Sequence, residues 1–536
     1  MIRILLLASL ALAAPLHAQT VKEAPLRGHL AMLADDLFEG RGTGQRGGGL
    51  AVRYLETQSQ VLGLLPVGGN SYRQAVPLIG AFTQTGSQPG DVLRFEAAGK
   101  PLPAVFGRDV AFATGTSESQ IAFDAPVVFV GYGIRADEEK WNDYKNVDVK
   151  GKFLIMLVND PQPTAGEPNR FGGKSLTWYG RWVYKFEQAK REGAAGVLLV
   201  HTTPSASYDW SVASNSFIRE RFHLDAPGNK AEGWIHENAA RALFAAAGQD
   251  LDVLRAKAET REFEPVTLNA TAHFNFQSKI RRVTEFNVIG MVPGTDPKLK
   301  DEAVIYSAHW DGFGKIEGKN GDQIWNGAVD NATGTAALLA MAQAAVAKPA
   351  KRTQIFFWPA AEEQGLLGSA AYVRTPPWPL AKTTADLNLD SMNFVGATRD
   401  MGVAGSERSS LHALAAGVAK QMKLKLAPSV PDLGGSYFRA DHFNFARAGV
   451  PAFNVGSAVF SGDGSFEFEH DHGGGTAKMK SYPKHYHQVS DQYDPNWDLA
   501  GMVQQAQFTL NLGYAVANAP SMQTWKAGEA FGKVKR

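Results

Sequence analysis

Two adjacent carboxylates, Glu362 and Glu363, close the stretch that follows the apolar run Thr353–Phe357. Neighbouring side chains at a strand end point different ways, so one acid can hold a cation while the other handles a proton. Upstream lie His309-Trp-Asp311 and Asp330-Asn-Ala-Thr-Gly334; downstream lie Asp390 and His487. Zinc accepts imidazole nitrogen and carboxylate oxygen, so a chain without cysteine can still bind it. Two cations roughly 3.5–4 Å apart clamp a water and a carbonyl oxygen together. One acid must bridge such a pair, and each cation needs two further protein ligands. Asp330 as the bridge, with His309, Glu363, Asp390 and His487 as terminal ligands, fills that scheme with nothing left over. Three carboxylates against two divalent cations leave a formal charge of about +1, which favours a bound anion such as hydroxide.

Taken singly, each piece has a plainer reading. A His-x-Asp is more often a surface pair, Asp330-Asn-Ala-Thr-Gly334 can be only a helix start, and paired glutamates usually form a solvated face. Asp390 is a stronger signal, because a charge directly after an apolar strand needs a partner. The weight lies in placement. In open α/β sheets functional groups collect in loops past the carboxyl ends of strands, and these residues follow that rule.

The elements that must position them alternate. From Asn287 onward the pattern predicts strands at Glu302–Ser307, Thr353–Phe357, Ala385–Leu389 and Pro451–Val455. Helices are predicted at Ala332–Ala347, Gly365–Val373 and Ser406–Met422. Such alternation predicts an α/β fold with a mixed, mostly parallel sheet flanked by helices. Earlier, helical spacing covers Leu30–Leu37 and Leu50–Leu62, separated by Glu39-Gly-Arg-Gly-Thr-Gly44. That glycine cluster lacks the preceding strand and the Gly-Lys-Ser/Thr ending of a phosphate loop, so it reads as a turn. From about Ala122 the texture changes to apolar strands at Pro126–Val130, Lys152–Val158 and Ala195–Val200, with a helix over Tyr179–Glu192. This reads as a β-rich insert. The expected division is 1–18, 19–121, 122–270 for the insert, and 271–536 for the main body.

At 536 residues the chain exceeds one usual domain, and its 44% hydrophobic and 20% charged content is an ordinary globular balance. A formal net charge of +1 without basic runs argues against nucleic acid or an anionic membrane as the main partner. Met1-Ile-Arg3, the apolar run Ile4–Pro15 and Leu16-His-Ala18 read as a secretory signal cleaved after Ala18, giving a periplasmic or secreted protein. No later stretch is long and apolar enough to span a bilayer. Cysteine is absent, which excludes disulfides and a lipid-modified cysteine anchor. Between Val459 and Lys484, Asp463, Glu467, Glu469, His470, Asp471 and His472 could form an extra cation site or a flap; a solvated surface insertion is the preferred reading.

The stretch from His309 to Asp491 resembles the M28 family of zinc metallopeptidases. The resemblance rests on His309-Trp-Asp311, Gly327-Ala-Val-Asp-Asn-Ala-Thr-Gly334, Ala361-Glu-Glu-Gln-Gly365, Leu389-Asp390, Ala440-Asp-His442, Gly449-Val-Pro451, Tyr486-His487 and Asp491. Leu33–Arg41 and Gly63-Leu-Leu-Pro66 resemble the family's opening helices. Gly131-Tyr-Gly133, Asp148–Lys152 and Gly193–Val197 resemble its inserted protease-associated domain. The resemblance implies an aminopeptidase-like fold and two Zn²⁺ per chain. His309, Asp330 and Asp390 would hold one ion, and Asp330, Glu363 and His487 the other. It also implies Glu362 as general base and acid, Asp311 as the residue orienting His309, and Tyr486 as a donor to the oxyanion or simply a packed aromatic. A cis peptide at Asp330–Asn331 is a further expectation. His442 and Asp441 are expected to support the cleft rather than bind metal.

The implied activity is hydrolysis of amino-terminal residues from peptides. A carboxypeptidase or dipeptidase of the same fold would need a basic pocket, with Arg181, Arg408 and Arg439 as candidates. A glutaminyl cyclase typically uses one zinc, and a receptor-like relative would have lost ligands that are all present here. Residue preference and oligomeric state are not legible in the sequence.

Overall fold

Strands buried on both faces organise the carboxyl-terminal half. Every residue of Ala303–Ser307, Thr353–Trp358 and Thr383–Asn388 is buried, as expected where helices cover both sides of a parallel sheet. The computed structural model describes residues 20–86, 88–206, 208–217, 219–226, 228–316, 321–456 and 475–536. The signal expected at 1–18 and the acidic, histidine-containing residues Asp463–His472 lie outside the described residues.

In this half the strand order is Ala452–Asn454, Thr383–Asn388, Ala303–Ser307, Thr353–Trp358, then Val266–Val292 and Arg73–Gln84. The first four run parallel to their neighbours, with Ile305 opposite both Ile355 and Asp386; the last two join antiparallel. The result is the mixed, mostly parallel sheet that the alternation predicts. The helix Thr333–Ala347 is buried from Thr333 to Ala345 except at Gln343, and its small side chains let it pack closely. On the sheet, the helix Ala500–Asn518 crosses Tyr306 at Gly513, where a Cβ would stand 1.9 Å from the phenol oxygen.

Val266–Val292 is a single strand of 27 residues. Its carboxyl-terminal part pairs with Thr353–Trp358, and its amino-terminal part pairs with Gln120–Phe129 and Leu93–Ala97. Beyond Gln120–Phe129 follow Phe153–Leu157, Gly196–His201 and Ala231–His236, all parallel, and then antiparallel Val110–Ala113. A separate core, with Phe112, Phe129, Phe153, Phe244 and Phe274, fills this second body. Strands at 93–113 belong to it although they precede residue 122. Alternating burial at Leu268, Ala270, Ala272, Phe274 and Phe276 gives the long strand one face in this second core. Among the described residues no helix is long and apolar enough to cross a membrane.

Candidate metal centre

His309, Glu362, Glu363 and Asp390 stand past the ends of parallel strands, Asp330 stands just before the buried helix, and His487 follows the short turn Tyr482–Lys484. Past Ser307 the ladder continues: Ala308 and Trp310 donate to the carbonyls of Phe357 and Pro359 at 3.1 and 3.2 Å. Trp310 is fully buried and its indole N–H donates to Phe286 O at 3.1 Å. His309 is thereby fixed between two anchored neighbours. Its carbonyl accepts the hydroxyl of Thr335 at 2.6 Å, tying it to the helix.

Asp330 sits in a distorted turn, Ala328–Ala332, that leads into that helix, and the peptide bond after it is cis, as expected. The Asp491 carboxylate accepts the N–H groups of Val329 and Asp330 at 3.0 and 3.1 Å. Asn331 donates to Leu389 O at 2.9 Å and accepts from Gly334 N at 3.0 Å. A Cβ on Gly334 would lie 2.4 Å from that Asn331 oxygen and 2.6 Å from Leu389 O, so this close approach requires glycine. Asp330 and Asp390 are thus held together through Asn331. Ala361, Ser391 and His487 adopt left-handed backbone (φ +53°, +55° and +58°). Such conformations cost about 1–3 kcal/mol each in residues with a Cβ and concentrate at functional sites.

The geometry brings the expected ligands into two groups, His309–Asp330–Asp390 and Asp330–Glu363–His487. One Asp330 oxygen lies 3.3 Å from His309 Nε2, and the other lies 3.2 Å from His487 Nε2. His309 Nε2 is 3.7 Å from Asp390, and His487 Nε2 is 3.3 Å from Glu363. Donor atoms at zinc bond lengths around a tetrahedral centre stand about 3.3 Å apart. Both Nε2 atoms are buried and have no hydrogen-bond partner. Imidazole nitrogens that face carboxylate oxygens at 3.2–3.7 Å suit a shared cation. The residues present therefore fit two divalent ions, with zinc matched to their nitrogen and oxygen donors.

The electrostatics say the same. Burial, then Asp390, Asp441 and Asp330, pushes Glu362 well above the ordinary carboxylate range. Burial, then Asp330 and Glu362, does the same to Glu363. Asp330 is held below its usual value because the imidazoles of His309 and His487 outweigh its burial. His309 is raised, Glu362 and the aspartates around it overcoming the opposing effect of burial. Too many carboxylates meet for the positive charge the protein supplies, and a cation pair would relieve them.

Asp311 is fully buried; its oxygens accept the N–H groups of Glu362 and Glu363 at 2.9 and 3.3 Å. His309 Nδ1 is nearer the Asp311 backbone carbonyl, at 3.2 Å, than its carboxylate, at 3.7 Å. Glu362 Oε2 lies 4.0 Å from His309 Nε2, beside both triads but in neither. The ring of Tyr486 stacks on His487 with centroids 3.7 Å apart, and Phe313 packs edge-on against the same imidazole at 4.5 Å. Asp441 accepts the Ser369 hydroxyl at 2.5 Å, and neither it nor buried His442 enters a triad.

Arg41 was hidden in the glycine-rich turn. Glu39, Gly40 and Arg41 all have positive φ, which turns the Arg41 side chain inward until it is 0% exposed. Its guanidinium donates to the carbonyls of Leu33, Trp310, Asn326 and Gly327 at 2.6–2.9 Å. Burial lowers its pKa to about 10, against the pull of Asp311, Asp491, Asp330 and Glu363. One arginine thus clasps the His309 and Asp330 loops. The only hint in the sequence was a charged residue between two glycines.

Residues 287–510 match the profile of peptidase family M28. A probable leucine aminopeptidase from Arthroderma otae is 24% identical over 254 residues, 45% of this chain. The match spans 59% of that relative's length. An aminopeptidase from Aneurinibacillus sp. strain AM-1 superimposes over 95% of this chain and 97% of its own, with a TM-score of 0.50 and 18% identity. A zinc aminopeptidase from Bacillus subtilis aligns over 94% of this chain and 97% of its own, at a TM-score of 0.45 and 17% identity. The Aneurinibacillus structure shares this fold.

Proposed function

We propose that the chain is an exported, zinc-dependent aminopeptidase that removes amino-terminal residues from peptides. The observation that carries this reading is Asp330, whose two oxygens each face a buried, unpartnered histidine Nε2. His309, Asp330 and Asp390 would hold one zinc, and Asp330, Glu363 and His487 the other. Bound there, the pair supplies a Lewis acid for the scissile carbonyl and a water acidified toward neutral pH.

The chain's own residues do the rest. Glu362 stands beside both triads without belonging to either, so its carboxylate is free to take a proton from water and return it to the leaving amine. Asp311 holds Glu362 and Glu363 by their backbone N–H groups, aiming the base and a ligand from one anchor. Tyr486, next to His487, would donate to the developing oxyanion. The amino-terminal direction of attack is supported by the sequence likeness to a protein described as a probable leucine aminopeptidase. The insert around 122–270 is read as a protease-associated-like body that walls the cleft, and residues 1–18 as an export signal. The carboxypeptidase or dipeptidase alternative keeps a structural basis in Arg181 and Arg439, which converge at the seam between the two bodies.

A panel of aminoacyl peptides and their amino-terminally blocked counterparts tests the reading. Stepwise release of amino-terminal residues from unblocked peptides alone is expected. Cleavage of blocked peptides from the carboxyl end, or of neither set by zinc-loaded protein, would overturn it.

A further inference from the structure

The loop that carries both acids is closed by one buried amide. Asn287 is 0% exposed in the strand Val266–Val292, and the main-chain ladder to Thr353–Trp358 stops beside it, at the pair Val288–Trp358. The next residue along, Pro359, has no N–H to offer. There the Asn287 side chain takes over: its oxygen accepts Ala360 N at 2.9 Å, and its nitrogen donates to Gly368 O at 2.9 Å. Ala360 and Gly368 also meet directly, Gly368 N donating to Ala360 O at 2.8 Å. A Cβ on Gly368 would lie 2.4 Å from both Ala360 O and Asn287 Oδ1, so this closure requires glycine.

Glu362 and Glu363 lie inside the loop so closed. Ala361, Gly365 and Leu366 within it have φ of +53°, +112° and +60°. Residues with a Cβ keep such backbone only where their surroundings impose it. Asp311 accepts the N–H groups of the two acids, and Asn444 donates to Leu366 O at 3.0 Å. Those contacts hold the middle of the loop, whereas Asn287 bonds both of its ends at once. The amide also reaches further. Its nitrogen donates to Gln74 Oε1 at 2.9 Å, directly opposite on the strand Arg73–Gln84, and Gln74 Nε2 donates to Thr375 O at 2.9 Å. The helix Leu367–Arg374 that follows the acids is therefore held in its first turn and just past its last residue. Both hydrogens of the Asn287 amide are spent and its oxygen accepts, so its partners fix which way it faces. A carboxylate of the same shape would turn an oxygen toward two acceptors. Among the described residues neither amide is hydrogen-bonded to a glutamate carboxylate, so both act through the main chain.

We propose that Asn287, with Gln74 behind it, is the positioning residue of the acid pair: its carboxamide fixes the closure of Ala360 on Gly368 and thereby the directions in which Glu362 and Glu363 present their carboxylates. Loss of the amide would leave every reacting group present but aimed wrongly, and small misplacements of catalytic groups are costly. The inference rests on the peptidase reading for the role of Glu362, and it adds what aims the base and the ligand together.

Asn287→Leu keeps the shape of the side chain and removes its donor and acceptor. Kinetics of the zinc-loaded variant, at a temperature where circular dichroism shows it folded, should give a kcat lower by about 10–100-fold with KM within about threefold of wild type. Competition with a chromogenic chelator should show zinc held about tenfold more weakly, through Glu363. Asn287→Asp serves where the leucine variant does not fold. A protonated carboxyl again offers one donor and one acceptor, so the kcat deficit of that variant relative to wild type at the same pH should shrink as pH falls. Gln74→Met, one bond further out, should cost about threefold in kcat. A side chain that only fills the core would lower the melting temperature and leave kcat of the folded enzyme unchanged. That result in Asn287→Leu, or an Asn287→Asp deficit constant with pH, overturns the positioning role. Wild-type protein that binds zinc but cleaves no unblocked peptide would refute the peptidase reading. The chelator measurement would still decide this inference: weaker zinc binding in Asn287→Leu supports the closure, and unchanged binding overturns it.

Discussion

Asp330 takes its position from Asp491. The Asp491 carboxylate spans the turn, accepting Val329 N at 3.0 Å and Asp330 N at 3.1 Å, while its own backbone carbonyl accepts Ala328 N at 3.1 Å. The segment that carries His487 therefore also sets the height of the bridging acid. Asp491→Ala would strand two buried N–H groups, a cost of about 1–3 kcal/mol each, and loosen a support of the kind worth about 10–100-fold in metal affinity. Competition with a chromogenic chelator should show zinc affinity falling by at least tenfold. Wild-type affinity in this variant would remove Asp491 from the positioning role.

Arg41 makes a separate prediction about stability. Arg41→Met leaves four loop carbonyls without their donor and removes a buried positive charge that the acid cluster attracts. Breaking a buried charged arrangement costs about 3–5 kcal/mol. Denaturant unfolding of the variant should show a loss of that order together with weaker zinc retention. A change within about 0.5 kcal/mol, the range of ordinary surface substitutions, would mean that the turn holds its shape without the clasp.

What the sequence made legible, and what it hid, divides along physical lines. Continuous apolar runs such as Thr353–Phe357 announce buried strands, and acids directly after them stand out because burial there demands a partner. Asp390 and the Glu362–Glu363 pair stood out for that reason, whereas His309, Asp330 and His487 stood out by their order in recognisable motifs; the structure brings His309, Asp330, Glu363, Asp390 and His487 together. Arg41 was not, because its partners are backbone carbonyls scattered from Leu33 to Gly327, which carry no side-chain signature. Val266–Val292 was not, because its buried small and aromatic residues alternate with Thr, Asn, His and Gln, a pattern that also suits a loop. The meeting of Arg181 with Arg439 depends on how two bodies dock, and no local pattern encodes that.

Glu285 gives a pH dependence with a definite sign. It is 6% exposed, accepts Gly44 N at 2.5 Å, and is raised from 4.5 to about 7, first by burial and then by Asp311. Between those values the folded protein holds a proton that the unfolded chain has released. The stabilisation is present below about pH 4.5 and is lost as pH rises through about 7, a span worth on the order of 3 kcal/mol. Glu285→Gln cannot titrate, so its unfolding free energy relative to wild type should rise across that window. Parallel stability curves for the two proteins would show that Glu285 is charged throughout.

Glu362→Gln separates proton transfer from metal binding. The residue stands beside both triads but in neither, so the variant should keep its zinc while turnover falls about 10²–10⁴-fold, the usual contribution of a general base. Near-normal turnover would remove Glu362 from that role. A parallel loss of zinc would make it a ligand instead.

The central claim is that Asp330 joins two cation sites, and zinc stoichiometry tests it most directly. Metal-stripped protein titrated with zinc and followed by calorimetry and elemental analysis should take up two equivalents per chain, with activity returning as the second binds. Asp330→Asn, which weakens both triads at once, should retain less than one. Full activity at a single equivalent, or two tightly held ions in Asp330→Asn, would contradict the account.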